Sequence, residues 1–399
     1  MLPVSLYSQS VRPSRRWMRA AWTLATLFSA TLGVSDLRSQ QPSRKLVQDM
    51  QFVVPDSVAL TSVDQIAQGP DGALYVCGRR DGRLLVFDTK GRLIRAIGRP
   101  GEGPGEFRFL ARFGWVRDSL WIADPMSRRI SFFSAEGKFR RSLAFPILPL
   151  RRPSMQLWPE AVLADGSLLI RELWTIPGES LASATGLLLL RASVDGRVLD
   201  TLRWLRSSRT AMVVRLPSGG IMQRSQPWSD NDLFTLDPGG NEVIVIDRQI
   251  TESPSGAHFR MLAFGADGQP IIERQLSYDP VVLTSKRFDQ ELESLASPVL
   301  NRFPSAKDAR NATALQLFRP HFLPPVRDVI VGSDRSTWLN VQLADNDQTW
   351  LAFDKLGVQI ARIVAPPGAK LLAVSATGAW GVVLDRDDVP ALVRYRIDK

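Results

Sequence analysis

Residues 63–107 read VDQIAQGPDGALYVCGRRDGRLLVFDTKGRLIRAIGRPGEGPGEF. Four short apolar runs are each closed by a Gly, Asp-Gly or Pro-Gly signal, and such punctuation ends strands. One stretch of this kind makes a four-stranded antiparallel unit. A single unit cannot bury both of its faces, so its copies along the chain decide the architecture.

Two phrases recur. A turn followed by a strand occurs at Asp71-Gly72-Ala73-Leu74-Tyr75-Val76, Asp118-Ser119-Leu120-Trp121-Ile122, Asp165-Gly166-Ser167-Leu168-Leu169-Ile170 and Asp334-Arg335-Ser336-Thr337-Trp338-Leu339. A strand that runs into a Gly turn ends at Gly91, Gly137, Gly268 and Gly357. Gly91 and Gly137 are 46 residues apart, the period of a propeller blade. On this register blades are expected at about 58–98, 110–145, 158–203, 230–277 and 325–364. The sixth draws on both ends of the chain, with strands at 371–374, 379–384 and 391–397 and a fourth from 45–54. The pattern therefore predicts an all-β, six-bladed β-propeller of four-stranded antiparallel blades, closed by pairing of its N- and C-terminal strands, which removes exposed edges. Residues 284–297 break the pattern, placing Phe288, Leu292 and Leu295 at helical spacing with Thr284 or Ser285 as cap and Pro298 as stop. A helical and irregular insertion over 284–323 is expected between blades four and five, either a lid over one face or a plug for a packing gap.

The first forty residues differ from the rest. Arg12, Arg15, Arg16 and Arg19 precede a mostly apolar run from Ala20 to Val34, the layout of a secretory signal. The expected domains are a signal peptide over 1–40 and a propeller over 41–399, giving a periplasmic or secreted monomer with no membrane span in the mature chain. Residues 1–44 carry half of the formal net charge of +10, so the remainder is only mildly basic. That balance, with export, argues against nucleic acid as a partner. Cys77 is the one cysteine, so neither an intrachain disulfide nor a thiol pair for metal exists.

Trp121-Ile122-Ala123-Asp124, followed by a short turn and by Arg129-Ile130-Ser131-Phe132-Phe133, resembles the NHL family of propeller repeats. The connector Ile97-Gly98-Arg99-Pro100-Gly101-Glu102-Gly103-Pro104-Gly105-Glu106-Phe107 resembles the same family's Gly-rich link. Blade one departs from the phrase, with Gly78 where the Asp would stand, and Ser127 replaces the usual Asn. The overall layout is similar to secreted bacterial six-bladed propeller proteins. The resemblance implies that the Arg at 128 or 129 packs between blades.

Antiparallel alternation puts the first-to-second and third-to-fourth turns of every blade on one face, and the second-to-third turns and blade links on the other. The second face collects arginine and tryptophan, a pairing that suits a planar anionic ligand because guanidinium binds carboxylate or phosphate in a bidentate way. The expected ligand-binding set is Arg79, Arg108, Arg112, Arg152, Trp158, Arg224, Trp228 and Arg319. The competing reading is solvated loop charge. His258 and His321 are the only histidines, which excludes a multi-histidine zinc site. Asp345, Asn346, Asp347, Asp385, Asp387 and Asp388 could supply calcium, as the lactonase-like propellers would imply. No Gly-x-Ser-x-Gly nucleophile motif occurs, and Gly101-Glu102-Gly103-Pro104-Gly105 lacks the Lys-Ser/Thr and helix of a phosphate loop. The first reading is a binding or interaction scaffold without cofactor, taking a small anionic ligand or a protein partner. The alternative is a calcium-dependent hydrolase or lyase.

Overall fold

The computed structural model describes residues 34–36, 42–55, 58, 60–145, 155–174, 186–207, 211–215, 221–253, 256–302, 313–314, 316–343, 348–384 and 389–398. Most of their strands fall into six antiparallel groups of four, in simple up-and-down order. Blade one runs from Gln65–Gln68 to Leu93–Ile97, blade two from Arg112–Val116 to Phe139–Ala144, and blade three from Met155–Val162 to Val198–Arg206. Blade four runs from Leu233–Leu236 to Pro270–Tyr278 and blade five from Val326–Val331 to Gln359–Val364. Blade six takes Lys370–Ser375, Gly378–Leu384 and Pro390–Ile397 from the C-terminal end and completes itself with Ser43–Gln51. The first strands of successive blades approach one another and form the inner ring. This is a six-bladed β-propeller closed by its terminal strands.

The core is divided between blades. One apolar cluster joins blades one and two through Tyr75, Phe107 and Phe133, a second spans blades two to four, and a third joins blades four and five. Trp338 and Trp350 pack blade five on blade six, and Phe52, Phe87 and Leu392 pack blade six on blade one. The recurring Gly turns belong to this packing. Gly137 has φ +84° and Gly268 φ +83°. A Cβ at Gly137 would stand 2.8 Å from Ile97 of blade one, and at Gly268 2.9 Å from Leu202 of blade three. Glycine is thus demanded twice, by the left-handed turn and by the approach of the preceding blade.

The helix is Ser285–Arg302. Thr284 caps it, its hydroxyl accepting the Arg287 N–H at 3.3 Å. It does not stop at Pro298. Proline removes one donor but holds φ near the helical value, so the helix loses a bond there and continues for four residues. Leu292 and Ala296 are buried with Trp228, Leu317 and Leu323, and with Met212 of a hairpin, Ala211–Arg215 and Ile221–Ser225, that the sequence reading did not place. The hairpin and the helix lie in the links on either side of blade four. Val34–Asp36 adds a further strand, parallel to Gln275–Ser277 on the outer edge of that blade.

Gly137→Ala is expected to fold but to lose about 1–2 kcal/mol, the cost of a left-handed conformation for a residue with a Cβ. Denaturant unfolding of the two proteins at equal slope measures it, and an unchanged midpoint would show that the turn relaxes freely.

Candidate functional site

The inner strands of the six blades enclose a channel of about 290 Å³. Blade links enter at the beginnings of these strands, so Asp64, Arg112, Asp328 and Lys370 mark the link-bearing end. Toward the other end the lining is Ala67, Trp115, Val162, Leu236 and Val331. Charges gather at the link-bearing mouth, and beyond it apolar side chains line the channel together with Asp237.

Glu160 organises the charged mouth. Pro159 pairs with Ile170 and Ala161 with Leu169, which leaves Glu160 as the extra residue of a bulge. Bulges of this kind re-aim a side chain, and Pro159 has no N–H to lose there. The Glu160 carboxylate is inaccessible to solvent and lies between two arginines. Arg112 donates from Nε to Oε2 at 3.0 Å, and Arg171 from Nε to Oε1 at 2.7 Å. Burial alone would raise the affinity of Glu160 for its proton, but the Arg171 and Arg112 charges outweigh it and hold the carboxyl below its ordinary value. Because both arginines use Nε on Glu160, their terminal Nη groups have no partner among the described residues. The Arg171 guanidinium also sits 5.4 Å from the centre of the Phe234 ring.

Two further carboxylates stand on this mouth. Asp64 accepts the Ser62 hydroxyl at 2.7 Å and the Arg79 N–H at 2.9 Å, with the Arg79 guanidinium 3.8 Å away. Burial opposes its charge, but these partners and Lys370 keep its carboxyl below the usual range. Asp328 is open to the lumen yet enclosed by the ring, and its surroundings push the carboxyl up against the pull of the Val329 N–H, Lys370 and Arg248.

Of the residues expected from sequence, Arg112 is central and Arg79 joins through Asp64. Trp158 pairs with Arg171 across the strands and meets Phe109 edge-on at 5.9 Å. Arg108 turns instead to Glu102, at 3.3 Å. Trp228 is buried 5.7 Å from the Phe288 ring, and Arg319 covers that ring at 4.7 Å while donating to Ser285 Oγ at 2.9 Å. Those two residues fasten the helix. Arg152 lies outside the described residues, as does the side chain of Arg224. The Gly-rich connector is tied down by Arg129, which donates to the carbonyls of Glu102, Gly103 and Glu106 at 2.6–2.8 Å. Sequence reading missed Glu160, Arg171 and Asp328. Their signals were present as a proline inside a strand and as charges within apolar runs.

Among the described residues no group of three or more His, Cys, Asp or Glu side chains could hold a metal ion. Asp345, Asn346, Asp347, Asp385, Asp387 and Asp388 lie outside the described residues.

Residues 48–158 match a family model described as 6-bladed beta-propeller. No curated protein matches the chain. Similar solved structures include a Bacteroides fragilis protein provisionally named as exported, at 13% identity, TM-score 0.47, covering 89% of this chain and 96% of that one. A Bacteroides vulgatus member of the DUF4221 family shares 11% identity at TM-score 0.47, covering 90% and 99%. Virginiamycin B lyase from Staphylococcus aureus shares 8% identity at TM-score 0.40, covering 89% and 100%.

Glu160→Gln removes the charge that reconciles two arginines and is expected to destabilise the fold by about 3–5 kcal/mol. The folded carboxyl binds its proton more weakly than the unfolded chain does. Its stabilisation is therefore complete above about pH 4.5 and is lost as pH falls through the lower folded value. Unfolding measured from pH 7 to pH 3 should show the variant losing less stability than wild type over the acid limb; parallel curves would count against the triad.

Proposed function

We propose that the protein is a periplasmic or secreted binding scaffold that takes a small anionic ligand at the charged mouth of its channel. The observation that carries this reading is the Arg112–Glu160–Arg171 triad. A buried carboxylate fixes two guanidinium groups through their Nε atoms and leaves the terminal nitrogens of both without a hydrogen-bond partner among the described residues, with one net positive charge. Guanidinium groups already fixed lose little freedom when they take up a carboxylate or phosphate. The enclosed volume suits a ligand at the small end of the usual range. Phe234 and Trp158 supply aromatic surface beside the triad. Export is supported by the basic and then apolar layout of residues 12–34, and no helix among the described residues is long and apolar enough to cross a membrane.

Thermal unfolding with phosphate, acetate and di- and tricarboxylates tests this, since a ligand that binds only the folded state raises the midpoint. Arg112→Gln should weaken the responding anion roughly ten- to hundred-fold, the worth of a charge-assisted hydrogen bond. Equal binding by the variant, measured by titration calorimetry, would overturn the assignment.

A further inference from the structure

The two walls of the charged mouth carry opposite charge at one level. Arg112 pairs across its hairpin with Ala123, two residues beyond Trp121, and Asp328 pairs with Asn340, two residues beyond Trp338. Trp121 and Trp338 occupy matching positions of the repeat. Arg112 and Asp328 therefore stand at the same step of blades two and five, which lie three apart in a ring of six and face each other across the channel. Both line the same cavity.

Asp328 differs from the other two carboxylates there. Glu160 is held by two arginines and Asp64 by Arg79. Asp328 accepts the neighbouring Val329 N–H at 2.8 Å, and no basic side chain among the described residues pairs with it. Lys370 and Arg248 act on it from beyond ion-pair distance. Arg248 is committed elsewhere, donating to the Asn231 carbonyl and, at 3.0 Å, to that of Val326. An excess of cation on blades two and three thus confronts, on blade five, an accessible carboxylate with which no basic side chain among the described residues pairs. Phe234 of blade four lies between them on the wall.

We infer that the ligand is a zwitterion: a carboxylate or similar anionic head held by Arg112 and Arg171, a short apolar spacer against Phe234, and a protonated amine at Asp328. This rests on the anion-binding reading above and narrows its substrate class to ω-amino acids and related small molecules with separated charges. An unpaired carboxylate in an enclosed channel is costly, and an ammonium group that brings both charge and hydrogen bonds relieves it.

Matched pairs of probes separate this inference from the reading beneath it. Titration calorimetry compares 4-aminobutyrate with butyrate, 6-aminohexanoate with hexanoate, and 8-aminooctanoate with octanoate. At the length that spans the channel the amino acid should bind at least roughly tenfold tighter than its carboxylate, the worth of one charge-assisted contact. Asp328→Asn should erase that preference and leave the plain carboxylate unaffected, while Arg112→Gln should weaken both. Carboxylates that bind as well as their amino partners at every length would overturn the zwitterion and leave the anion reading standing. No binding by either series would overturn both. The comparison within wild type needs no variant, so a folding defect in Asp328→Asn cannot mask the result.

Discussion

A ring of sheets exists only if its last blade closes on its first strand. Here Ser43–Gln51 lies antiparallel to Pro390–Ile397, and Arg394 fastens the seam with a bidentate pair to Asp49 at 2.9 and 3.0 Å. The beginning of the same strand also pairs in parallel with Arg362–Val364 of blade five. Without this strand the final blade would present an open edge, and the apolar cluster that joins it to blade one would lose its support. The apolar clusters join neighbouring blades, and closure lets that chain of contacts run the whole way round.

Closure also makes the channel. Six inner strands arranged about an axis bring side chains from distant parts of the chain to one mouth, in surroundings where charge is poorly solvated. Across the protein, burial has opposite outcomes at different carboxylates. Glu160 and Asp64 have partners that outweigh desolvation and stay charged readily. Asp232, Asp237 and Asp328 are dominated by burial, and their carboxyls are pushed up. The first group contributes stability that is lost in acid, whereas the second favours the fold at lower pH, so the acid response of the whole protein is a partial cancellation.

Much of the architecture was legible because it is written locally. Gly137 and Gly268 mark turns that only glycine makes cheaply, and the paired phrases around Trp121 and Trp338 repeat a hairpin. The alternation of apolar residues then gives the blade. The helix over Ser285–Arg302 was readable in its cap and its buried stripe but not in its end, since Pro298 is compatible with a helix that packing holds on both sides. Of the arginines proposed from loop position, Arg112 reached the channel, while Arg319 reached the Phe288 ring and Arg108 the side chain of Glu102. A loop arginine has a long, flexible side chain, and its sequence neighbours do not say which way it turns.

The sequence by itself determined the repeat, the number of blades, the closing strand and the class of residue available at the link-bearing face, because turns, strand periodicity and composition are properties of short stretches. Tertiary structure alone decided which charges meet. Glu160 binds Arg112 from 48 residues upstream, and Asp328 faces Arg112 from blade five. Those encounters follow from blade order and a bulge at Pro159, which set positions in space that no local pattern specifies.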